Sequence, residues 1–485
     1  MKLLAIDVGA SSGRAIQAEL DGGRLSMKEV HRFKNGMIEV DGHKHWDIDA
    51  LRGELIAALT KADDDVVSLG IDTWGVDYGY VKDGEPMGLP FAYRDDRTQP
   101  MVDAVHHAVG KDWLFSVNGL QVMPFNTIYQ VADDVMSRPE VMAEAGRMQL
   151  MPDLLGCLLT GEYSAEYSIA STSGLIDART RDWSDELLDK LDAPRHLFGE
   201  ISMPGGFSAP LKKEIADATG SGAKLVLAAG HDTADAVAAT PMDDSSRAMY
   251  ISSGTWSLAG VELDEPCITD AARDANFTNE GGVDNKIRFL KNVMGLWLVQ
   301  ELQRIWAEGG DELGFGEICG EAKKAPAFVS LVNPQNQRFM APKNMEKEIQ
   351  AECKRTGQPV PEGVGPLARC VFESLALAYR QCRETIQQVT GRKLGCVHIV
   401  GGGVQNKLLC QMSADACGVP VYAGPVEATA IGNLLVQAIS LGAIADLHAA
   451  REVVKATFPL DEYAPQDQGA WQAAWERFQK LPAAG

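Results

Sequence analysis

Two copies of one short pattern, about 245 residues apart, constrain this chain most. LLAIDVGASSGRAIQAEL near the N-terminus and AMYISSGTWSLAGVEL from Ala248 each contain an apolar run, a tip of small residues and a second apolar run. Two apolar runs around such a tip predict a β-hairpin. Because a long internal repeat is the mark of a duplicated architecture, the sequence predicts two related domains with a cleft between them.

The segments around the two hairpins predict an α/β protein. Further strands with an Asn-Gly turn, the amphipathic helix DALRGELIAALTKAD and the buried strand VVSLGIDTWG follow the first hairpin. Near the end of the second copy, a long helix is followed by the strand GCVHIV, three glycines and another helix. The predicted domains are residues 1–243, with a helical insertion at about 98–220, and residues 244–460, followed by a tail at 461–485.

Charge and composition narrow the class of partners. The 485 residues include 67 acidic and 45 basic side chains, for a net charge of −22, which disfavours binding to nucleic acid or to anionic membranes. Nine cysteines occur without C-x-x-C spacing, as is typical of a reducing compartment. No signal peptide or long apolar segment is apparent, so we expect a cytoplasmic protein.

The tip of the first hairpin is a candidate phosphate site. A tip without bulky side chains lets backbone N–H groups approach a phosphate, and serine hydroxyls add donors. Arg14 can reach phosphate oxygens, and Asp7 at the strand end is a candidate to hold Mg²⁺ through water. A plain turn is the alternative for one hairpin, but the matching second copy favours the functional interpretation.

The segment GHDTADAVAAT contains the candidate general base. Asp232 follows a buried strand and opens an alanine-rich helix. A carboxylate at the carboxyl end of a strand can accept the proton of a hydroxyl that attacks a γ-phosphate. The alternative is that Asp232 serves only as the helix N-cap. The neighbouring His231 either bonds the same substrate or is a structural histidine.

Three other segments have both functional and structural interpretations. In VGGGVQN, Gly402 either lies against a base or ribose or permits close strand–helix packing. FLKNVMGLWLVQELQRIW predicts an amphipathic helix, with Asn292 just before it as a cap or ligand and Gln300 inside it as a solvated residue or ligand. DTWGVDYGY and FAYRDDRT combine polar and aromatic groups as a sugar site does, although the run from Arg94 to Arg97 also suits surface ion pairs.

Over nearly its whole length the chain resembles the FGGY carbohydrate kinases. The segments that carry the resemblance include IDVGASSGR, GIDTWGVDY, GLPFAYRDDRT, HDTADAV, YISSGTWSL, LKNVMGLWLVQ, HIVGGGVQN and GPVEATAIGN. The Lys-Leu-x-Trp stretch of many members is replaced here by PFNTIYQ. The resemblance implies an actin-like (ribonuclease H-like) duplicated two-domain ATPase fold. It also implies ATP-dependent phosphorylation of a ketose. GIDTWGVDY, LKNVMGLWL and GPVEAT resemble one branch of the family in particular, and this branch implies L-rhamnulose as the sugar, phosphorylated at its 1-hydroxyl.

Matched residue by residue, the resemblance also implies roles for individual side chains. It makes Asp232 the catalytic base, and it places sugar contacts at Gly75, His231, Asp232, Thr233 and Asn292. It places nucleotide contacts at Ala10, Ser11, Ser12, Gly13, Arg14, Thr255, Gln300 and Gly402. ATP and Mg²⁺ are the implied co-substrate and metal. Two alternatives remain open at this point: a kinase for another ketose such as L-fuculose, and an actin-fold ATP-binding chaperone or filament module.

Overall fold

The computed structural model describes residues 1–482 and divides the chain into two compact units. The first unit comprises Met1–Pro241, Glu262–Phe289 and Ala428–Thr457. The second comprises Met242–Val261, Leu290–Glu427 and, within the described part of the chain, residues 458–482. Two segments that the sequence predicts within the second domain thus pack with the first unit, so the compact units are discontinuous in sequence.

Short strands are spread over the whole chain. In chain order they are β1 (Lys2–Val8), β2 (Ser12–Asp21), β3 (Arg24–Lys34), β4 (Met37–Val40), β5 (His43–Trp46), β6 (Val66–Thr73), β7 (Tyr78–Lys82), β8 (Glu85–Pro86), β9 (Arg147–Leu150), β10 (Ile176–Asp177), β11 (Asp182–Trp183), β12 (Ser208–Pro210), β13 (Lys224–Val226), β14 (Ala248–Ser253), β15 (Trp256–Leu263), β16 (Thr278–Gly281), β17 (Ile287–Met294), β18 (Cys396–Val400), β19 (Val421–Ala423) and β20 (Asp461–Tyr463).

The helices vary from one turn to seven. In chain order they are α1 (Ile48–Lys61), α2 (Gln99–Val109), α3 (Lys111–Asn118), α4 (Thr127–Ser137), α5 (Pro139–Glu144), α6 (Met151–Thr160), α7 (Tyr167–Ala170), α8 (Asp185–Lys190), α9 (Lys213–Thr219), α10 (Asp232–Ala238), α11 (Asp270–Asp274), α12 (Trp297–Glu308), α13 (Phe315–Lys324), α14 (Met345–Arg355), α15 (Val364–Thr390), α16 (Lys407–Cys417), α17 (Ala428–Ser440), α18 (Leu447–Thr457) and α19 (Gln468–Phe478).

The first unit is built on a six-stranded sheet of order β12-β13-β6-β1-β2-β3. Neighbouring strands β13, β6 and β1 are parallel, whereas β2 and β3 are antiparallel to their neighbours. The register sets Asp7 between Arg14 on one side and Asp72 on the other, and it pairs Val8 with Thr73. The carboxyl ends of β1 and β6 therefore lie side by side at the same edge of the sheet.

Burial on both faces explains why the sequence of β1 is a continuous apolar run. Leu3, Leu4, Ala5 and Ile6 are fully buried, as expected for a central strand covered on both faces. One cluster of apolar side chains joins this strand to α1 and α6. At Gly70 of β6, an added Cβ would lie 2.2 Å from Oδ1 of Asn433 on α17. The absence of a side chain there lets α17 pack closely against the sheet.

The second unit repeats the hairpin pattern of the first. Its strands follow the order β17-β15-β14-β18-β19-β20. Strand β14 is antiparallel to β15 and parallel to β18, just as β1 is antiparallel to β2 and parallel to β6. The two matching hairpins predicted from sequence are thereby confirmed.

Two local predictions differ from the structure. The helix predicted over FLKNVMGLWLVQELQRIW begins only at Trp297, because the chain up to Met294 belongs to β17. Gly295 marks the change, since an added Cβ there would lie 2.6 Å from Oγ of Ser257. The Asn-Gly stretch separates β3 from β4, but these two strands lie in different sheets and do not form a hairpin.

The segment at about 98–220 is mainly helical, as predicted, and includes α2, α4 and α8. It also contains the short strands β9 to β12, and its apolar side chains form a core cluster together with Tyr78 and Tyr80 of β7. The nine cysteines are all free thiols. Within residues 1–482, no helix is both long and apolar enough to cross a bilayer.

Candidate active site

The tip of the first hairpin lies at the carboxyl edge of the sheet. The N–H of Gly9 donates to the carbonyl of Ser12 at 3.0 Å and closes the tip. Ser11 and Ser12 are exposed and Ala10 is half-buried. Arg14 donates from Nε and an η nitrogen to Oδ2 of Asp7, at 3.1 and 2.9 Å. The two charged residues of this tip thus form an ion pair with each other.

Asn35, which the sequence analysis did not single out, braces the tip. Its Nδ2 donates to the carbonyl of Gly9 at 2.9 Å, and its N–H donates to the carbonyl of Ser11 at 3.1 Å. Gly13 has a packing reason of its own, because an added Cβ would lie 2.1 Å from the ring of Phe33. The glycine at this position is therefore explained without a phosphate.

Asp232 lies beyond the same edge of the sheet. The chain before it bridges to β6, where the N–H of Thr73 donates to the carbonyl of Gly230 at 2.9 Å. Oδ1 of Asp232 accepts the N–H and the hydroxyl of Thr233, at 2.5 and 3.1 Å. An N-cap side chain instead bonds an N–H two or three residues further on. The N-cap alternative for Asp232 is thus wrong, and its side chain remains 34% exposed.

His231 is held by a buried carboxylate that sequence reasoning missed. Its N–H donates to Oγ of Ser168 at 3.2 Å, and that hydroxyl donates to Oε2 of Glu166 at 2.6 Å. The same oxygen accepts the N–H of Gly230 at 2.8 Å. Burial raises the pKa of Glu166 to about 7. Glu166 lies 65 positions before His231 in the sequence, so no local pattern connects them.

Several carboxylates surround this edge. Burial and the negative charges of Asp7 and Asp235 raise the pKa of Asp72. Oδ2 of Asp72 accepts Nδ2 of Asn433 at 2.7 Å, while its Oδ1 and Oδ2 of Asp235 are buried without hydrogen-bond partners. Such hard oxygens suit Mg²⁺. Among the described residues, however, no group of three or more histidine, cysteine, aspartate or glutamate side chains is placed to hold a metal ion.

Gly75 precedes a strained turn. Val76 has φ of 72°, and the N–H of Asp77 donates to the carbonyl of Gly75 at 3.0 Å, the pattern of a γ-turn. A β-branched residue is rare in this region and requires support from its surroundings. Thr127 and Gln130 provide it, donating to the carbonyl of Val76 at 2.6 and 3.2 Å.

Asp77 organises the predicted sugar wall. This fully buried carboxylate accepts the indole N–H groups of Trp46 and Trp74 at 2.7 and 2.9 Å, and the N–H of Tyr93 at 3.1 Å. The two indole rings lie 4.2 Å apart. Burial raises the pKa of Asp77 to about 6. Aromatic residues from three separate segments are therefore oriented by one acid.

The predicted surface ion pairs at the run from Arg94 to Arg97 are only partly correct. Arg94 is exposed, but the side chain of Arg97 is only 5% exposed and donates to Asp133 and Asp134, each at 2.7 Å. Asp134 also accepts the hydroxyl of Tyr78 at 2.6 Å. Arg97 thus belongs to an interior network that ties β7 to α4.

In the second unit, residues far apart in sequence meet beside the second hairpin. Oγ1 of Thr255 donates to Oε1 of Gln300 at 3.2 Å, and both side chains are exposed. Gly402 follows β18, the parallel neighbour of β14. Asn292 lies within β17, not before a helix as predicted, and its carbonyl accepts Nε2 of Gln335 at 3.0 Å.

Two family models together match most of the chain. The models for the N-terminal and C-terminal domains of the FGGY family of carbohydrate kinases match residues 2–239 and 249–441. The chain belongs to this family and has its duplicated, actin-like α/β fold. ATP is accordingly its co-substrate.

Two curated relatives are similar over almost their whole length. The chain is 42% identical over 479 residues to rhamnulokinase of Bacteroides thetaiotaomicron, covering 98% of both chains. It is 40% identical over 489 residues to rhamnulokinase of Pectobacterium atrosepticum, covering 99% of this chain and 96% of the relative.

Solved structures of other sugar kinases share the fold. Gluconate kinase from Lactobacillus acidophilus aligns with a TM-score of 0.79 at 17% identity, over 99% of this chain and 97% of the other. Plasmodium falciparum glycerol kinase with ADP aligns with a TM-score of 0.77 at 12% identity, over 98% and 97% of the two chains. At these identities the likeness shows the fold alone.

Proposed function

We propose that this protein transfers the γ-phosphoryl group of ATP to the 1-hydroxyl of L-rhamnulose. The products are L-rhamnulose 1-phosphate and ADP, and the reaction belongs to L-rhamnose catabolism. The observation that carries this proposal is the identity of 40–42% with rhamnulokinases over nearly full length. The geometry of Asp232 supports it.

Asp232 is proposed as the general base. Its Oδ1 is occupied by two donors from Thr233, while no hydrogen bond from residues 1–482 reaches Oδ2. A base with one anchored oxygen and one available oxygen is oriented to accept a proton from the sugar's primary hydroxyl. Proton acceptance by Oδ2 makes that hydroxyl a better nucleophile toward the phosphorus atom.

The remaining site residues keep the roles implied by the family. We propose sugar contacts for Gly75, His231, Asp232, Thr233 and Asn292. We propose nucleotide contacts for Ala10, Ser11, Ser12, Gly13, Arg14, Thr255, Gln300 and Gly402. The hydrogen bond between Thr255 and Gln300 supports a shared role for that pair.

Asp7 is proposed to hold Mg²⁺ through water. When bound, the ion neutralises charge on the phosphates. Asp72 and Asp235 each have one buried carboxylate oxygen without a hydrogen-bond partner. Asp7, in contrast, already forms an ion pair with Arg14. Both bonds from Arg14 go to Oδ2 of Asp7, so a water of the hydrated ion would bond Oδ1.

A panel of acceptors tests the substrate. In a coupled ADP-release assay with L-rhamnulose, L-fuculose, L-xylulose and glycerol, we expect the highest kcat/KM with L-rhamnulose. A site that hydrogen-bonds a hydroxyl loses roughly 1–3 kcal/mol when that partner is misplaced. A preference for L-fuculose would change the substrate, and ADP release without any sugar would point to an ATPase module instead.

Gly402 and Gly403 offer a matched pair of substitutions. An added Cβ at Gly402 meets nothing within 4 Å, whereas at Gly403 it would lie 2.0 Å from Oγ of Ser253. We expect Gly402→Ala to keep its melting temperature but raise the KM for ATP about tenfold, since the methyl would meet only the nucleotide. Gly403→Ala should instead lose about 1–3 kcal/mol of stability.

Differential scanning fluorimetry and steady-state kinetics separate these effects. If Gly402→Ala leaves the KM for ATP unchanged, the proposed nucleotide contact at that position is wrong. Gly403→Ala controls for the insertion of a methyl group into the same loop.

A further inference from the structure

Two charged residues from a distant segment converge on His231. Arg288 on β17 places an η nitrogen 3.0 Å from Nδ1 of His231. Oε2 of Glu280 on β16 lies 3.4 Å from the same Nδ1 and 3.3 Å from the guanidinium. Both residues belong to Glu262–Phe289, the segment that packs with the first unit although it follows the second hairpin in sequence.

The guanidinium of Arg288 is held in place. Its side chain is fully buried, and its Nε donates to the carbonyl of Gly281 at 2.7 Å. A buried cation requires a compensating anion, which Glu280 supplies. Burial would raise the pKa of Glu280, but the positive charge of Arg288 beside the carboxylate helps to lower it. The pair is therefore ionised and neutral overall.

The guanidinium of Arg288 determines which ring nitrogen of His231 carries the proton. Arginine has donors only, so a hydrogen bond to His231 requires Nδ1 to be an acceptor. The ring proton of a neutral imidazole then resides on Nε2. Nε2 lies 3.4 Å from Oδ1 of Asp232, the oxygen that Thr233 already anchors.

We propose that Arg288 and Glu280 are positioning residues that hold His231 in its Nε2–H tautomer. His231 then donates toward Oδ1 of Asp232 and leaves Oδ2 free for the sugar hydroxyl. In the opposite tautomer a ring lone pair would face the carboxylate, and Asp232 would lose this support. The inference rests on the proposed role of Asp232 as the base.

The tautomer is measurable without turnover. In nitrogen–proton correlation spectra of the full-length wild-type protein at pH 8, we expect a non-protonated shift for Nδ1 of His231 and a protonated shift for Nε2. The His231→Gln variant assigns the signals. A protonated Nδ1 in the wild type would overturn the proposal whatever the enzyme phosphorylates.

The charge-neutral double variant Arg288→Met with Glu280→Gln removes the donor without leaving an unpaired buried charge. We expect kcat to fall about a hundredfold, a moderate form of the loss seen when a catalytic histidine has the wrong tautomer. The KM for ATP should stay unchanged, and the His231 signals should shift toward the other tautomer or a mixture. Arg288→Lys, which restores a donor, should recover part of kcat.

Lys286→Met is the matched control, because this cation lies two residues from Arg288 but pairs with Asp264. It should change neither kcat nor the His231 signals. A folded double variant with wild-type kcat, or with lower kcat and unaltered His231 signals, would contradict the positioning role. Should the double variant fail to fold, the Nδ1 signal of the wild type and the kcat of Arg288→Lys still test the proposal. Failure of the proposed function would appear separately, as absent sugar phosphorylation by the wild type.

Discussion

Replacing Asp232 by asparagine will lower kcat for sugar phosphorylation by about 10²–10⁴-fold, the usual contribution of a general base. The amide keeps the size of the carboxylate, and its oxygen can still accept the N–H of Thr233 at the Oδ1 position. It cannot take a proton from the sugar hydroxyl. We therefore expect an unchanged melting temperature and an unchanged dissociation constant for ATP, measured by fluorimetry and calorimetry.

Asp270→Asn provides the control for this substitution. Asp270 also opens a short helix of the first unit, but it is exposed and pairs with Arg273. We expect its kcat to equal that of the wild type. If Asp232→Asn phosphorylates the sugar at nearly the normal rate, the assignment of the base is wrong.

The substitution Gly432→Ala will lower the free energy of unfolding by about 3 kcal/mol, at the upper end of typical overpacking costs. An added Cβ at Gly432 on α17 would lie 1.9 Å from the carbonyl oxygen of Asp235 on α10. Backbone atoms cannot move aside as a flexible side chain can, so the helices have to separate. Because α10 begins at Asp232, kcat should fall as well.

Gly53→Ala makes the same change where there is room. Gly53 lies inside helix α1, and an added Cβ meets nothing within 4 Å. Alanine in a helix interior is favoured over glycine by roughly 0.5–1 kcal/mol, so this variant should be slightly more stable than the wild type. Urea unfolding of both variants tests the pair. If the two substitutions change the free energy of unfolding equally, α10 and α17 do not pack as described.

Much of the fold could be predicted because its signals are local. The two hairpins, the buried strand β6 and the long helix α15 each show their own periodicity or apolar run. The duplication is visible because the second hairpin repeats the residue types of the first. The strand β17 was missed because its apolar residues run directly into those of α12. The two elements are separated at Gly295, which approaches Ser257 closely and donates its N–H to the carbonyl of Thr255.

The supporting residues of the site could not be predicted, because their partners lie far away in sequence. Asn35 braces a tip more than twenty residues before it, and Glu166 bonds Gly230. Arg288 reaches His231 across 57 positions. Each such contact depends on how strands are ordered in the sheet, which no local pattern records. For Asp232 the local pattern left a general base and an N-cap as alternatives, and the resemblance to the family favoured the base.

Identification of the phosphorylated product tests the central claim most directly. Purified protein is mixed with ATP, Mg²⁺ and L-rhamnulose, and the product is analysed by phosphorus–proton correlation spectroscopy. We predict a phosphoester whose phosphorus couples to the two protons on C1 of the sugar, formed together with an equal amount of ADP. Inorganic phosphate as the main product, or a phosphoester at another carbon, would contradict the account.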